Sequence, residues 1–122
     1  MVSSKQEILH NQRESLRYVN QIQYKVCKNA IHINRTNTDA HELMKYRICR
    51  QLNKEGCDFL TEVFFANGKR ADVLCLDTRT IYEVIVSETE RSQRAKVANY
   101  YPDIFEVIFV PANQAWNEKS IH

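Results

Sequence analysis

The stretch Gly68-Lys69-Arg70-Ala71-Asp72-Val73-Leu74-Cys75-Leu76-Asp77, followed after a short turn by Ile81-Tyr82-Glu83-Val84-Ile85-Val86, decides the fold. It reads as two β-strands, Arg70 to Leu76 and Ile81 to Val86, joined by the turn Asp77-Thr78-Arg79-Thr80. Side chains alternate along a strand, so Asp72, Leu74 and Leu76 are expected on one face of the first. Ile81, Glu83 and Ile85 share a face of the second, with Tyr82, Val84 and Val86 on the other. Two neighbouring antiparallel strands thus each carry one acid in apolar company. An unpaired buried carboxylate costs on the order of several kcal/mol, so it is normally neutralised, hydrogen-bonded or bound to a metal. Two facing acids also repel, and a divalent cation answers both problems because hard oxygens suit Mg²⁺. Either acid alone is met as well by solvent or an arginine at a sheet edge; the pair is what points to a metal.

Working outward, Asn67-Gly68 is a strong hairpin signal, and Phe59, Thr61, Val63 and Phe65 alternate before it as an earlier strand. No glycine or proline precedes Gly56, which predicts helix there. Leu9, Leu16, Val19, Val26 and Ala30 form an interrupted stripe on a helix from about Lys5 to Asn29, which either packs on its own domain or serves as a dimer arm. Ile31 to Thr38 is a polar connector. Asp39, with Glu42 three residues on, forms a capping box opening a second helix. Leu43, Met44, Ile48 and Leu52 are its expected buried stripe, and Gly56 its stop. Downstream, Ser87 and Glu90 form another capping box for a helix to about Tyr100. A fourth strand, Ile104 to Val110, then ends at Pro111, and residues 112–122 form a short helix or a frayed end. The order α-α-β-β-β-α-β predicts an α/β fold, a mixed central sheet flanked by helices.

At 122 residues the chain fits one domain (1–122), divided into an N-terminal helical extension (1–36), a core (37–111) and a tail (112–122). Hydrophobic residues at 43% and charged residues at 26% fit a globular protein, and no apolar run reaches a membrane span of about 20 residues. The polar N-terminus lacks the apolar segment of a signal peptide, which sets the expectation of an intracellular, cytoplasmic protein. A net charge of +2 is too small to argue for nucleic acid by itself. The cysteines at 27, 49, 57 and 75 form no Cys-x-x-Cys pair, and Cys27, Cys49 and Cys75 are expected as small buried hydrophobes.

The quoted segments, on these strands of this topology, resemble the core of the PD-(D/E)xK nuclease superfamily, whose restriction-endonuclease-like fold has the order α-β-β-β-α-β and which includes archaeal Holliday-junction resolvases. The resemblance covers about Asp39 to Val110. It implies that Asp72 and Glu83 bind Mg²⁺ or Mn²⁺, with Glu42 on the first core helix completing the metal site; Glu42 is equally explained as a capping residue. The superfamily's lysine, two residues past the glutamate, is Ile85 here. The resemblance then turns attention to Lys96 as its substitute, and to Glu88 as a further ligand or water-orienting base. Lys96 is also explained as solvated surface, and Glu88 as an acid favoured in a helical first turn. Lys69 and Arg70 at the hairpin tip, Arg91, Arg94 and Lys96 on the later helix, and Lys45, Arg47 and Arg50 on the earlier one could follow a nucleic-acid backbone or simply form the solvated coat. The resemblance implies a DNA endonuclease acting on double-stranded or branched DNA, in a superfamily where homodimers are common. The missing lysine keeps open an inactive scaffold that binds nucleic acid or serves assembly, and the N-terminal helix keeps open an interaction module.

Overall fold

A computed structural model describes residues 4–22, 25–116 and 121. Its elements are α1 (Lys5–Arg17), α2 (Asp39–Lys54), β1 (Phe59–Phe64), β2 (Arg70–Cys75), β3 (Thr80–Ile85), α3 (Glu90–Asn99) and β4 (Glu106–Pro111). The sheet order is β1-β2-β3-β4; the first two pairings are antiparallel and β3–β4 is parallel, so the sheet is mixed. The helical crossover through α3 is what a parallel neighbour requires.

Two apolar cores form. Leu60, Val63, Ala71, Leu74, Leu76, Ile81, Tyr100 and Phe105 belong to the first. Phe59, Val73, Cys75, Tyr82, Val84 and Val110 meet Met44, Ile48, Cys49 and Leu52 of α2 in the second. The expected alternation holds for Leu74 and Leu76, and for Tyr82 and Val84. It breaks at Asp72: Ala71 lies in the first core and Val73, two residues on, in the second. Phe59 and Val63 of β1 show the same exchange across Glu62, whose φ is +48°. The register is unchanged on either side, with Thr61 opposite Val73 and Val63 opposite Ala71, so both strands turn over together at Glu62 and Asp72. Asp72 therefore does not share the face of Leu74 and Leu76.

The first helix stops at Arg17 rather than near Asn29. Val19 is buried and bridges to Phe65, Asn20 N–H donates to the Phe64 carbonyl, and Asn29 N–H donates to that of Phe59. The chain after α1 thus covers the outer edge of β1, satisfying groups that an edge strand would expose, in place of continuing a helix. Helix α2 is capped by Thr38, whose hydroxyl accepts from His41 N–H at 3.2 Å, and not by Asp39. Its buried stripe is His41, Met44, Lys45, Ile48, Cys49 and Leu52, while Leu43 is half exposed. Gly56, at φ +76°, ends it as expected. Helix α3 is capped by Thr89, which accepts from Ser92 N–H at 3.1 Å, so Ser87 stays outside. The last strand starts at Glu106, since Ile104 and Phe105 are held in a turn by the Tyr101 carbonyl. Cys27 is exposed. Most of 117–122 lies outside the described residues, although Ile121 is buried in the second core. No helix among the described residues is long and apolar enough to cross a membrane.

Candidate active site

The β2–β3 ladder runs from Cys75↔Thr80 to Val73↔Tyr82, while β3 stays paired with β4 as far as Ile85↔Pro111. One step beyond Val73↔Tyr82 in the same register, Asp72 stands opposite Glu83. There the two carboxylates take over the ladder's hydrogen bonding. Asp72 N–H donates to Glu83 Oε2 at 3.0 Å, and Val84 N–H donates to Asp72 Oδ2 at 2.8 Å. Buried backbone donors need partners, so each acid is fixed by the strand across from it.

Two further side chains complete the inner site. His41 of α2 sets Nε2 at 3.3 Å from Asp72 Oδ2. Burial lowers the imidazole's affinity for a proton, but the Asp72 hydrogen bond and charge outweigh it, and its pKa lies above the ordinary value. Burial likewise pushes Asp72 up, and His41 with the neighbouring donors outweighs this, leaving its carboxyl below the usual range. Glu83, only 4% exposed, is raised to about 8 by burial and by the Asp72 charge. Tyr100, the residue closing α3, reaches back between the strands. Its hydroxyl lies 2.7 Å from the Arg70 carbonyl and is hydrogen-bonded to Glu83 Oε1. A hydroxyl has one hydrogen, and a carbonyl can only accept. With Glu83 ionised, Tyr100 donates to Glu83 or to Arg70, but not to both. With Glu83 protonated, it donates to Arg70 while accepting from Glu83, and both bonds form. A Tyr100 hydroxyl donating to Glu83 favours the ionised form, but burial and the Asp72 charge outweigh it and hold the carboxyl above its ordinary range.

Asp72, Glu83, His41 and Tyr100 line a cleft of about 390 Å³ with Arg70, Glu88 and Lys96. Lys96 Nζ lies 3.3 Å from Glu88 Oε1, and Glu88 Oε2 accepts from Val86 N–H at 2.9 Å, so both residues expected near the acids are in the cleft, paired to each other. Glu42 is not brought in as a third acid. Its carboxylate accepts from Asn37 at 2.8 Å and from Lys45 at 2.9 Å. Of the basic residues, Arg70 lines the cleft, while Lys69, Arg91 and Arg94 are exposed and outside its lining. Lys45 is fully buried, bonded to the His32 carbonyl at 2.7 Å and to Glu42 and Glu62, and has no surface for a phosphate.

The donor set fits a hard divalent cation. Asp72 and Glu83 present two largely buried carboxyl groups side by side, and the raised affinity of Glu83 for a proton is what such a cation would take over. Among the described residues no group of three His, Cys, Asp or Glu is arranged to hold a metal. Mg²⁺ commonly takes one or two carboxylates and fills its remaining positions with water and substrate oxygens, so a pair suffices. His41 and Tyr100 were not singled out by sequence reasoning. The one signal for His41 was its phase, since it falls on the buried stripe of α2; Tyr100, beside Tyr101, offered an aromatic ring for base stacking but no sign of a place beside the acids.

Compared with protein-family models, with curated proteins and with solved structures, the chain matches none of them.

Proposed function

We propose that the protein is a divalent-metal-dependent nuclease that hydrolyses phosphodiester bonds of double-stranded or branched DNA, with Mg²⁺ or Mn²⁺ as cofactor. The observation that carries this reading is the Asp72–Glu83 pair lining the cleft, where the β2–β3 ladder opens and burial with the Asp72 charge raises Glu83. The order α2-β1-β2-β3-α3-β4 supports it, being the order of the restriction-endonuclease-like core that the sequence resembles.

A bound divalent ion polarises a phosphoryl oxygen and lowers the pKa of water. Asp72 and Glu83 would hold it, Glu83 giving up its proton and the Tyr100 hydroxyl then donating to Glu83 Oε1. Lys96 takes the part of the lysine replaced by Ile85, offsetting charge on the phosphate, and Glu88 orients Lys96 and offers a carboxylate toward the attacking water. Arg70 at the cleft wall meets a flanking phosphate, and Lys69, Arg91 and Arg94 extend the basic surface for the DNA backbone. A homodimer, common in the superfamily, would present two such clefts.

The test is cleavage of plasmid and four-way-junction DNA with Mn²⁺ by the wild type and Asp72→Ala. Equal products from both proteins refute the assignment. One observation favours a second reading, a scaffold that binds nucleic acid or serves assembly without cutting: the motif lysine is Ile85, and Lys96 is already paired with Glu88. Calorimetry separates the two, because DNA binding without Mn²⁺ binding belongs to the second alone.

A further inference from the structure

An edge strand leaves a row of N–H and C=O groups unpaired, and this sheet has two edges. At β1 the chain itself covers the row, through the Val19–Phe65 bridge and the bonds from Asn20 and Asn29 to the Phe64 and Phe59 carbonyls. At the other edge, among the described residues, β4 pairs with β3 alone. Parallel pairing turns alternate residues toward the neighbour. Glu106 N–H donates to the Arg79 carbonyl at 3.1 Å and Ala112 N–H to that of Ile85 at 2.7 Å, so Glu106, Ile108, Val110 and Ala112 face β3. Val107, Phe109 and Pro111 therefore turn their backbone groups outward. Both ends of this row are closed. Phe105, before it, is held in a turn by its bond to the Tyr101 carbonyl at 3.0 Å. Pro111 has no N–H, and its carbonyl accepts from Gln114 N–H at 3.3 Å. Val107 and Phe109 stay open with one donor and one acceptor each, and among the described residues nothing bonds to them.

We propose that this open stretch of β4 pairs with the same stretch of a second copy of the chain, antiparallel about a two-fold axis at Ile108. In that register Val107 and the partner's Phe109 exchange both N–H···O=C bonds, and Phe109 and the partner's Val107 do the same. Every open donor, with its partial positive charge, meets an open carbonyl, and none is left over. A register shifted by two residues would leave half of them unpaired, so the pattern of open groups selects this one. The interface is isologous and closes at two copies. The side chains agree. Val107 packs at the margin of the first core and Ile108 at the margin of the second, and both, like Phe109, are only half-buried in one copy. Across the axis Val107 meets the partner's Phe109, a β-branched residue against an aromatic one, and Ile108 meets the partner's Ile108, so both cores continue into the second copy. The one charged residue of β4, Glu106, stands opposite the partner's Val110, and no like charges meet. The seam is short, so the dimer is weak and its population rises with protein concentration. It lies one strand from the acids, since Phe109 is the register partner of Glu83, and it stands whether or not the cleft cuts DNA.

The experiment is sedimentation equilibrium of the full chain from micromolar to millimolar concentration, with amide hydrogen exchange followed by NMR across the same range. The expected mass rises from that of one chain toward twice that value. The Val107 and Phe109 amides, open in the monomer, slow in proportion as the monomer fraction falls, while the Ile108 and Val110 amides, bonded to β3, are protected throughout. Phe109→Pro removes an outward donor and no bond to β3, and is expected to stay monomeric. A one-chain mass over the whole range would overturn the proposal. So would a dimer whose Val107 and Phe109 amides exchange as fast as in the monomer, since its interface would lie elsewhere. The wild-type exchange rates decide even where the variant does not fold.

Discussion

Glu83→Gln is the perturbation whose outcome the proton on Glu83 dictates most directly. Glutamine is the shape of a protonated glutamate. Its amide oxygen can accept from Asp72 N–H, and its Nε2 can donate to Tyr100, which stays free to donate to the Arg70 carbonyl. The bonds to Asp72 N–H, to Tyr100 and from Tyr100 to the Arg70 carbonyl survive. The wild-type carboxyl, raised from 4.5 to about 8, makes the folded protein hold a proton that the unfolded chain releases. The folded state binds more protons through that window, so stability falls as pH rises from 4.5 to about 8 and is level above it. At about 1.4 kcal/mol for each tenfold change in proton activity, the loss reaches roughly 3 kcal/mol at pH 7 and roughly 5 at its limit. Asp72 works in a separate range: its lowered carboxyl contributes stability that is present above its unfolded value and lost only as pH falls through the lower folded one.

Urea denaturation in the presence of a chelator, run from pH 5 to pH 9, measures both proteins. Glu83→Gln is expected to be close to wild type at pH 5 and more stable than it by roughly 3 kcal/mol or somewhat less at pH 8, the unfolded chain's own residual structure reducing the figure. The wild-type curve slopes downward, and the variant's is flatter. Parallel curves over the whole range would refute the reasoning, since Glu83 would then carry its charge in the folded protein as in the unfolded chain. A wild type gaining stability between pH 5 and 8 relative to the variant would refute it more strongly.

Other substitutions probe neighbouring parts of the argument. Lys96→Ala should lower Mn²⁺-dependent cleavage by roughly 10²-fold, the scale of a positioned charge in a transition state, while calorimetric Mn²⁺ affinity stays at the wild-type value. An equal loss of both would make Lys96 a structural residue instead. Lys45→Met removes the charge facing Glu42 and Glu62 but keeps the apolar stem, and should cost about 3 kcal/mol in urea denaturation because the buried Glu62 is left with Asn34 and the more distant Arg70 alone. A variant as stable as wild type would mean that water reaches those carboxylates. Thr38→Ala should cost about 1 kcal/mol through loss of the α2 cap, whereas Asp39→Ala should cost clearly less.

The order of elements could be read from the chain because each signal was local. Asn67-Gly68 needed a left-handed residue, and Gly68 adopts φ +84°; Gly56 likewise ends α2 at φ +76°. The errors came where a distant partner decided. A stripe from Leu9 to Ala30 is helical by period, yet the open edge of β1 offered hydrogen bonds and a place for Val19 that a longer helix could not. Lys45 read as a surface cation because lysine usually is one; Glu62, at a positive φ seventeen residues on, makes it a buried one. Cap positions slipped for the same reason, since Thr38 and Asp39, or Ser87 and Thr89, differ only in which side-chain oxygen meets the first free N–H.

The acid pair was legible for its position and only partly for its chemistry. Alternation places Asp72 with Leu74 and Leu76, but the strands turn over at Glu62 and Asp72, and this reversal directs Asp72 to His41 of α2 while Glu83 meets Tyr100 from the opposite core. An unbroken pleat would bury Asp72 in the first core beside Leu74, with no imidazole within reach. The turnover costs the sheet two regular ladder positions, and the carboxylates replace the lost partners by accepting from Asp72 N–H and Val84 N–H. Site and distortion are therefore one feature. Removing the Asp72 carboxylate leaves Val84 N–H without its acceptor as well as the cleft without an acid, so Asp72→Asn, which keeps the acceptor, is the variant that separates loss of charge from loss of fold.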